Sequence, residues 1–518
     1  QERQSNLDTQ EIGDDAARAA DWKRIGRNPV FSDAELSKVV QAGVQRLTEM
    51  QLSDGGWGWF SGWGERNTPH ATATVVRGLQ IAKANDVALV PGVIERGIDW
   101  LTNYRNEQIA ALANVGGDGK PLDKAKPSKS AADNLDALVQ MVLVDAEVSN
   151  DAMRDYLYRD RTKLSVYGLA LLGLSLDKQN DAEKFAMVLR NLRQFVVEDD
   201  ENQTAYLNMP PDIWWYWYGS EYEAQAYFLK LPVENNPQDP LAPRLVKYLV
   251  NNRKHATYWN STRDTALVVE ALADYIRATG EDKPDMTVEV WIDGQKRHEV
   301  KIDSANLFTF DNRFVLAGDA LEAGRHTVEL RKRGDGPLYY SGFLTNFTLE
   351  DDIRAAGLEL KVNRRYFKLT PADKTTAVAG GRGQIIDQRV EKYDRTEIPN
   401  LGTVESGDLV EIELTIESKN DYEYIVFEDM KAAGCEPVAL QSGYGNNEMG
   451  AYMELRDEKV TFFLSRLARG RHSVSYRMRA EIPGRFSALP TLGSAMYAPE
   501  LKGNSDELKL KIVDRPNP

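Results

Sequence analysis

Three adjacent acids, Glu198, Asp199 and Asp200, stand in the run VVEDDENQ (Val196 to Gln203). Clustered carboxyls could supply the strong acid that carbocation chemistry needs, as in a terpenoid cyclase that protonates a polyene in an apolar pocket. The run is otherwise polar and lies where a helical pattern stops. It therefore reads as a solvated, charged helix end. His70 follows Pro69 at a helix start, where an imidazole could serve as base or acyl acceptor. As a solitary histidine it reads as structural.

The other candidates fail on chemistry. A protein prenyltransferase would need zinc, and one Cys with five scattered His offers no ligand spacing. GLSLD around Ser175 lacks the second glycine of a nucleophile elbow and falls inside a predicted helix. AGGRGQ (Ala379 to Gln384) lacks the Gly-Lys-Ser/Thr that holds phosphate and magnesium, and reads as a loop. Cys435 stands alone, so no internal disulfide framework forms, and it reads as a small buried side chain. No catalytic residue, metal ligand or cofactor is assigned, and the chain is read as a non-enzyme.

Up to about residue 282 the sequence reads as helices. Leu36, Val39, Val40, Val44 and Leu47 recur at spacings of three and four, the stripe of a helix packed on a core. TATVVRGL (Thr72 to Leu79) is echoed by TALVVEAL (Thr265 to Leu272), with YGLALLGL (Tyr167 to Leu174) between them. Such repeats imply an array or closed ring of helical units. The turn QLSDGGWGWF carries Gln51, Asp54, Gly55, Gly56, Trp57 and Trp59. It reads as the aromatic staple of helical hairpins in an α/α toroid, with both tryptophans buried. The aromatic run Asp212 to Phe228 reads as closing an end of that ring.

Beyond Pro284 the period becomes two. Asp293-Gly294 marks a hairpin, Val410, Ile412, Leu414 and Ile416 share one face, and Val474, Tyr476 and Met478 share another. LEAGRHTV (Leu321 to Val328) is echoed by LARGRHSV (Leu467 to Val474), each a turn entering a strand. The expected fold is multidomain α plus β: an α/α-toroid followed by two β-sandwich domains. The expected bounds are 1–284 for the helical domain, 285–349 and 350–518 for the β domains.

At 518 residues several domains are expected. A net charge of −15 argues against nucleic acid as a partner. No run approaches the roughly 18 apolar residues of a membrane span. The chain begins at Gln1 without Met or signal peptide and is expected to be a fragment or processed segment.

Several stretches carry a resemblance. GVQRLTEMQLSDGGWGWF and YWNSTRDTALVVEAL (Tyr258 to Leu272) are similar to the thioester domain of bacterial alpha-2-macroglobulins. LEDDIRAAGLELKVNRRYFKL, VFEDMKAAGCEPV and YRMRAEIPGRFSALPTLGSAMYAPE resemble that family's terminal macroglobulin-like domain. The resemblance implies an endopeptidase inhibitor in which bait cleavage exposes a Cys-x-Glu-Gln thioester that captures the protease. Cys435 is followed by Glu436, Pro437 and Val438, so that motif is not in this chain.

The resemblance further implies that residues 285–349 are the C-terminal half of a CUB-like domain. The implied partners are proteases and upstream domains of a parent chain, and the implied place is periplasmic or extracellular, with tethering as a lipoprotein through an upstream N-terminus as an option. Met496 and Tyr497 of SAMYAPE would lock the thioester against water, in a loop stiffened by Pro490 and Pro499; the alternative is that the pair is sandwich core. An α/α-toroid enzyme of cyclase or lyase type, and a structural envelope protein without a thioester, remain open as other readings.

Overall fold

The computed structural model describes residues 33–515, apart from 61–63, 210–219, 254–257, 308, 323, 343, 345–351, 380–384, 440, 445, 446 and 448. The described residues cluster into two compact units. One runs to residue 250 and resumes at 260–339, and the other holds 340–515 with the stretch after 250.

In the first unit, α1 (Asp33–Glu49), α3 (Val93–Ala113), α5 (Asp151–Arg159), α7 (Ala182–Arg193) and α9 (Leu241–Asn251) alternate with α2 (Pro69–Ala84), α4 (Asn134–Asp145), α6 (Val166–Lys178), α8 (Glu221–Asn235) and α10 (Thr262–Thr279). The even-numbered helices pack in sequence order, α2 on α4, α4 on α6, α6 on α8 and α8 on α10. The middle three are buried almost all round, as helices apolar on every side must be. Each of the five begins on a side-chain cap, Thr68, Asp133, Ser165, Ser220 or Ser261, which satisfies amides that the first turn leaves open.

Ion pairs reach across all five even-numbered helices. Arg77 on α2 binds Asp145 of α4 at 3.2 Å and Glu270 of α10 at 2.6 Å. Asp145 also takes Lys178 of α6 at 2.9 Å, and Glu270 takes the buried Lys230 of α8 at 2.7 Å. Lys230 also pairs with Asp274.

The DGGWGW turn joins α1 to α2. Trp57 is 1% exposed; its indole N–H donates to Leu47 O at 2.7 Å, and its amide donates to Thr72 Oγ1 at 2.9 Å. The indole lies so close to α3 that a Cβ on Gly97 would meet it at 2.8 Å. Gly55 takes φ 97°, and a Cβ there would strike Arg96 O at 2.6 Å. The Gln51 amide donates to Gly55 O and to Val93 O, both at 2.9 Å, tying the turn to the start of α3. One tryptophan thus holds three helices. Trp59 departs from expectation: it is 40% exposed and stacks on His70, because the chain leaves the hairpin interface two residues after Trp57. The α1 stripe departs too, since Leu36 and Val39 lie in water and burial begins at Val44.

The unit also holds two small sheets. β1 (Val196–Asp199) and β2 (Thr204–Leu207) form a hairpin, and β3 (Asp285–Ile292), β4 (Gln295–Asp303) and β5 (Val328–Asp335) form a sheet of order β4-β3-β5. Asp293 and Gly294, with φ of 51° and 77°, make the turn between β3 and β4.

In the second unit, β6 (Leu360–Ala379), β7 (Ile385–Ile398), β9 (Leu409–Ser418), β11 (Cys435–Pro437) and β15 (Gly470–Ala480) form a sheet of order β11-β15-β9-β6-β7. A six-stranded sheet, β12-β13-β14-β10-β17-β18, is built from β10 (Tyr422–Met430), β12 (Gly443–Tyr444), β13 (Tyr452–Leu455), β14 (Lys459–Leu467), β17 (Leu492–Ala495) and β18 (Ala498–Asn504). A third, β16-β19-β8, is built from β8 (Gly402–Glu405), β16 (Gly484–Ala488) and β19 (Leu508–Val513).

One core joins these sheets, and the period-two faces supply it: Val410, Ile412, Leu414 and Ile416 from β9 meet Ile425, Phe427 and Phe462. Within it, Arg364 of β6 binds Asp429 of β10 at 2.7 Å, both out of water. Asp429 also accepts from Tyr476 Oη at 2.7 Å and Thr491 Oγ1 at 2.8 Å. The LEAGRH and LARGRH echo holds at the side-chain level. His326 and His472 each place Nε2 2.7 Å from the carbonyl four residues back, Glu322 O and Ala468 O.

Trp57→Ala is expected to cost about 3 to 5 kcal/mol, because the void opens between three helices that cannot collapse together. Thermal unfolding measures it. An unchanged midpoint would show that the turn is not a staple.

Candidate functional site

The acid run does not form a site. Glu198 and Asp199 lie on the β1–β2 hairpin and not at a helix end, because the strand pairing of Glu198 with Ala205 and Asp199 with Thr204 captures the chain after α7. Glu198 and Asp200 are exposed and both pair with Arg244. Water-facing, paired carboxylates are poor proton donors to an apolar substrate. Of the aromatic run, residues 212–219 lie outside the described residues; Tyr222, Tyr227 and Phe228 are buried in α8. In AGGRGQ, residues 380–384 also lie outside them.

Ser175 is buried within α6 and donates to Leu171 O at 3.0 Å, a bond inside its own helix. Cys435 is fully buried at the start of β11, and burial pushes its thiol up to about 11. Neither presents a nucleophile to solvent. Among the described residues no group of three or more His, Cys, Asp and Glu is placed to hold a metal ion. Among them, too, no helix is long and apolar enough to cross a membrane.

Buried titratable groups gather where two of the even-numbered helices start. His70, 8% exposed, is the second residue of α2; burial and, secondarily, the Arg263 charge lower it to about 4. Glu223, 2% exposed, lies in the first turn of α8; burial, and less strongly the charge of Asp264, raise it to about 7 against the opposing pull of Arg263, its ion-pair partner. Ser220 Oγ accepts from the Glu223 amide at 3.2 Å and donates to Asp264. The arrangement caps helix ends, with Glu223 and Asp264 out of water and the Arg263 side chain 29% exposed. Sequence reasoning did not single out Glu223 or Arg263, since their pairing joins elements 40 residues apart.

Met496 and Tyr497 are the two-residue turn between β17 and β18, 46% and 41% exposed. This sets aside the alternative that the pair is core, because a two-residue turn at the end of a ladder has no sheet over it. The Met496 amide donates to Tyr424 O at 2.8 Å, and the Tyr497 ring stands edge-on to Tyr424 with centroids 5.2 Å apart. Pro490 lies just before β17 and Pro499 within β18.

Residues 360–500 match the family model for the Bacterial Alpha-2-macroglobulin MG10 domain. An alpha-2-macroglobulin homolog from Nostoc is 24% identical over 504 residues, 94% of this chain and 24% of that protein. The alpha-2-macroglobulin of Thermotoga maritima is 25% identical over 251 residues, 47% of this chain and 13% of that protein. The chain thus spans 24% or less of either curated relative. Among solved structures, trypsin-activated alpha-2-macroglobulin from Escherichia coli is similar at TM-score 0.44 and 18% identity, covering 93% of this chain and 30% of that one. The native Escherichia coli protein from domain MG7 to the C-terminus is similar at TM-score 0.35 and 20% identity, covering 93% and 68%.

The two shifted groups push stability in opposite directions. Glu223 is raised from 4.5, so its contribution is full below about 4.5 and is lost as pH rises through 7. His70 is lowered from 6.5, so its contribution is full above 6.5 and is lost as pH falls through 4. Between 4.5 and 6.5 they oppose each other. Calorimetric midpoints across that window should rise with pH more steeply than wild type in Glu223→Gln, and less steeply in His70→Gln. Parallel profiles for all three proteins would refute both shifts.

Proposed function

Because the chain belongs to the bacterial alpha-2-macroglobulin family, we propose that it is the C-terminal part of a protease-trapping inhibitor. In this reading, residues 1–284 are the thioester-type α/α toroid without its N-terminal part, 285–349 the C-terminal half of a CUB-like domain, and 350–518 the terminal macroglobulin-like sandwich. The bait and the Cys-x-Glu-Gln bond belong to upstream segments of the parent, and the chain has no turnover of its own. The proposed place is periplasmic or extracellular, with lipoprotein tethering through an upstream N-terminus as one option.

The observation that carries the reading is the exposed Met496–Tyr497 tip. An activated acyl bond survives only where water is excluded, and a flexible thioether beside an aromatic ring makes an adaptable lid for it. A pair used that way must project from its own core, as this one does. Incomplete packing elsewhere supports the C-terminal assignment. The inner helices at either end of the series leave apolar faces in water: Gly78 and Ile81 on α2, and Ala266, Val269 and Ile276 on α10. A further inner helix from the parent would cover both. The strand β5 is exposed along nearly all its length, as expected of half a domain.

In the full-length protein, Tyr497→Ala should speed loss of the thioester, read as free thiol or methylamine uptake without added protease, while thermal stability is kept. An unchanged lifetime would remove the lock. A parent without Cys-x-Glu-Gln would remove the covalent trap and favour a structural envelope role. The non-enzymatic reading is checked by a screen with polyprenyl diphosphates, glycans and chromogenic esters. Turnover abolished by substituting Glu198, Asp199 or Asp200 would overturn it.

A further inference from the structure

Tyr424 lies inside β10 with a left-handed backbone, φ 55°. An aromatic residue enters that region only at a steric cost, and such strain persists where the surroundings over-determine it. Burial does not account for it, since Tyr424 is 38% exposed. Tyr424 stands where β10 has run past the end of its pairing with β17, while the ladder with β14 continues on the other side.

The local geometry shows what the conformation achieves. The pairing of β10 with β14 passes from Glu423 to Ile425 without Tyr424, and the pairing with β17 ends at Ile425 and Ala495. On the facing hairpin, the β17–β18 register shifts between Ser494 and Ala495. Two irregularities on neighbouring strands therefore meet at one place. There the Tyr424 carbonyl takes the Met496 amide at 2.8 Å, and the Tyr424 ring meets Tyr497 at 5.2 Å with planes at 85°. A two-residue tip at the end of a ladder takes its orientation from the groups beside it. Tyr424 supplies both a backbone tether to one tip residue and a ring wall to the other.

We propose that Tyr424 is a positioning residue for the tip, holding Met496 and Tyr497 in the pose that covers the thioester. This rests on the lock reading above. Tyr424 does not itself touch the bond; it acts through Tyr497. The left-handed backbone is what directs its carbonyl at Met496, so a substitution that keeps the backbone but deletes the ring separates the two contributions.

The test uses the full-length protein and thiol release without protease, in Tyr497→Ala, Tyr424→Phe, Tyr424→Gly and the double variant Tyr424→Gly/Tyr497→Ala. Glycine accepts the left-handed backbone, and Tyr424→Asn, which also tolerates it, repeats the measurement should glycine loosen the strand. Tyr424→Gly should release thiol several-fold faster than wild type, and Tyr424→Phe at the wild-type rate. The double variant should be no faster than Tyr497→Ala alone, because a residue acting through Tyr497 has nothing left to position. Amide exchange in the peptide containing Met496 should quicken in Tyr424→Gly and not in Tyr424→Phe. Effects that add in the double variant, or wild-type release and exchange in Tyr424→Gly while Tyr497→Ala is fast, would overturn the positioning role and leave the lock intact. Wild-type release in Tyr497→Ala, or a protein without the thioester, would overturn the lock and the positioning role with it.

Discussion

In the helical unit one chain of ion pairs, buried at Arg77 and Lys230 and reaching water at Lys178, runs through all five even-numbered helices. From Lys178 it passes to Asp145, Arg77, Glu270, Lys230 and Asp274. Arg77 and Glu270 stand 193 residues apart in sequence. A helix placed in the wrong order would leave Arg77 or Lys230 bare in the interior, at a cost of several kcal/mol per ion. Apolar packing alone would tolerate many arrangements of similar helices. The buried Arg77 and Lys230 penalise arrangements that would leave them unpaired. Arg364 has the same role between the sheets of the second unit, where Asp429 and the carbonyls of Ala488 and Leu489 receive its guanidinium.

Around this frame, residue types usually associated with chemistry serve as caps and staples. Ser220 and Ser261 start inner helices, Trp57 clamps three others, and His70 is packed beneath Trp59. Trp57 and His70 are held out of water, while the hydroxyls of Ser220 and Ser261 are engaged by the helix amides they cap. A hydroxyl that already accepts a helix amide, or an imidazole shielded from solvent, has no approach for a substrate. Glu223 and His70 show the electrostatic side of the same fact: burial shifts an acid up and a base down, which leaves His70 neutral near neutral pH and brings Glu223 up to about 7 against the pull of Arg263.

Function in this reading is carried where the chain leaves its core. The Met496–Tyr497 tip and the uncovered faces of α2 and α10 are apolar surfaces that the described residues do not bury. An inhibitor that must change shape after cleavage needs contacts that can be made and released. Exposed apolar pairs on short turns meet that need better than core residues, whose removal would unfold the domain.

How much was legible in the sequence follows from what periodicity can report. The alternation in β9 assigned Val410, Ile412, Leu414 and Ile416 to one face, and all four are fully buried; Asp293-Gly294 is the turn it promised, and Ser175 lies in the helix expected for it. The stretches from LEDDIRAAGLELKV to SAMYAPE carry the family resemblance in the sequence alone. These features are local, set by backbone sterics and by which side of one element is apolar. The exposure of Trp59, Leu36 and Val39, the hairpin that takes up Glu198 and Asp199, the Arg77 network and the left-handed Tyr424 were decided only in three dimensions. Each depends on what distant segment lies opposite, and a periodic pattern names the face that seeks cover without naming what covers it.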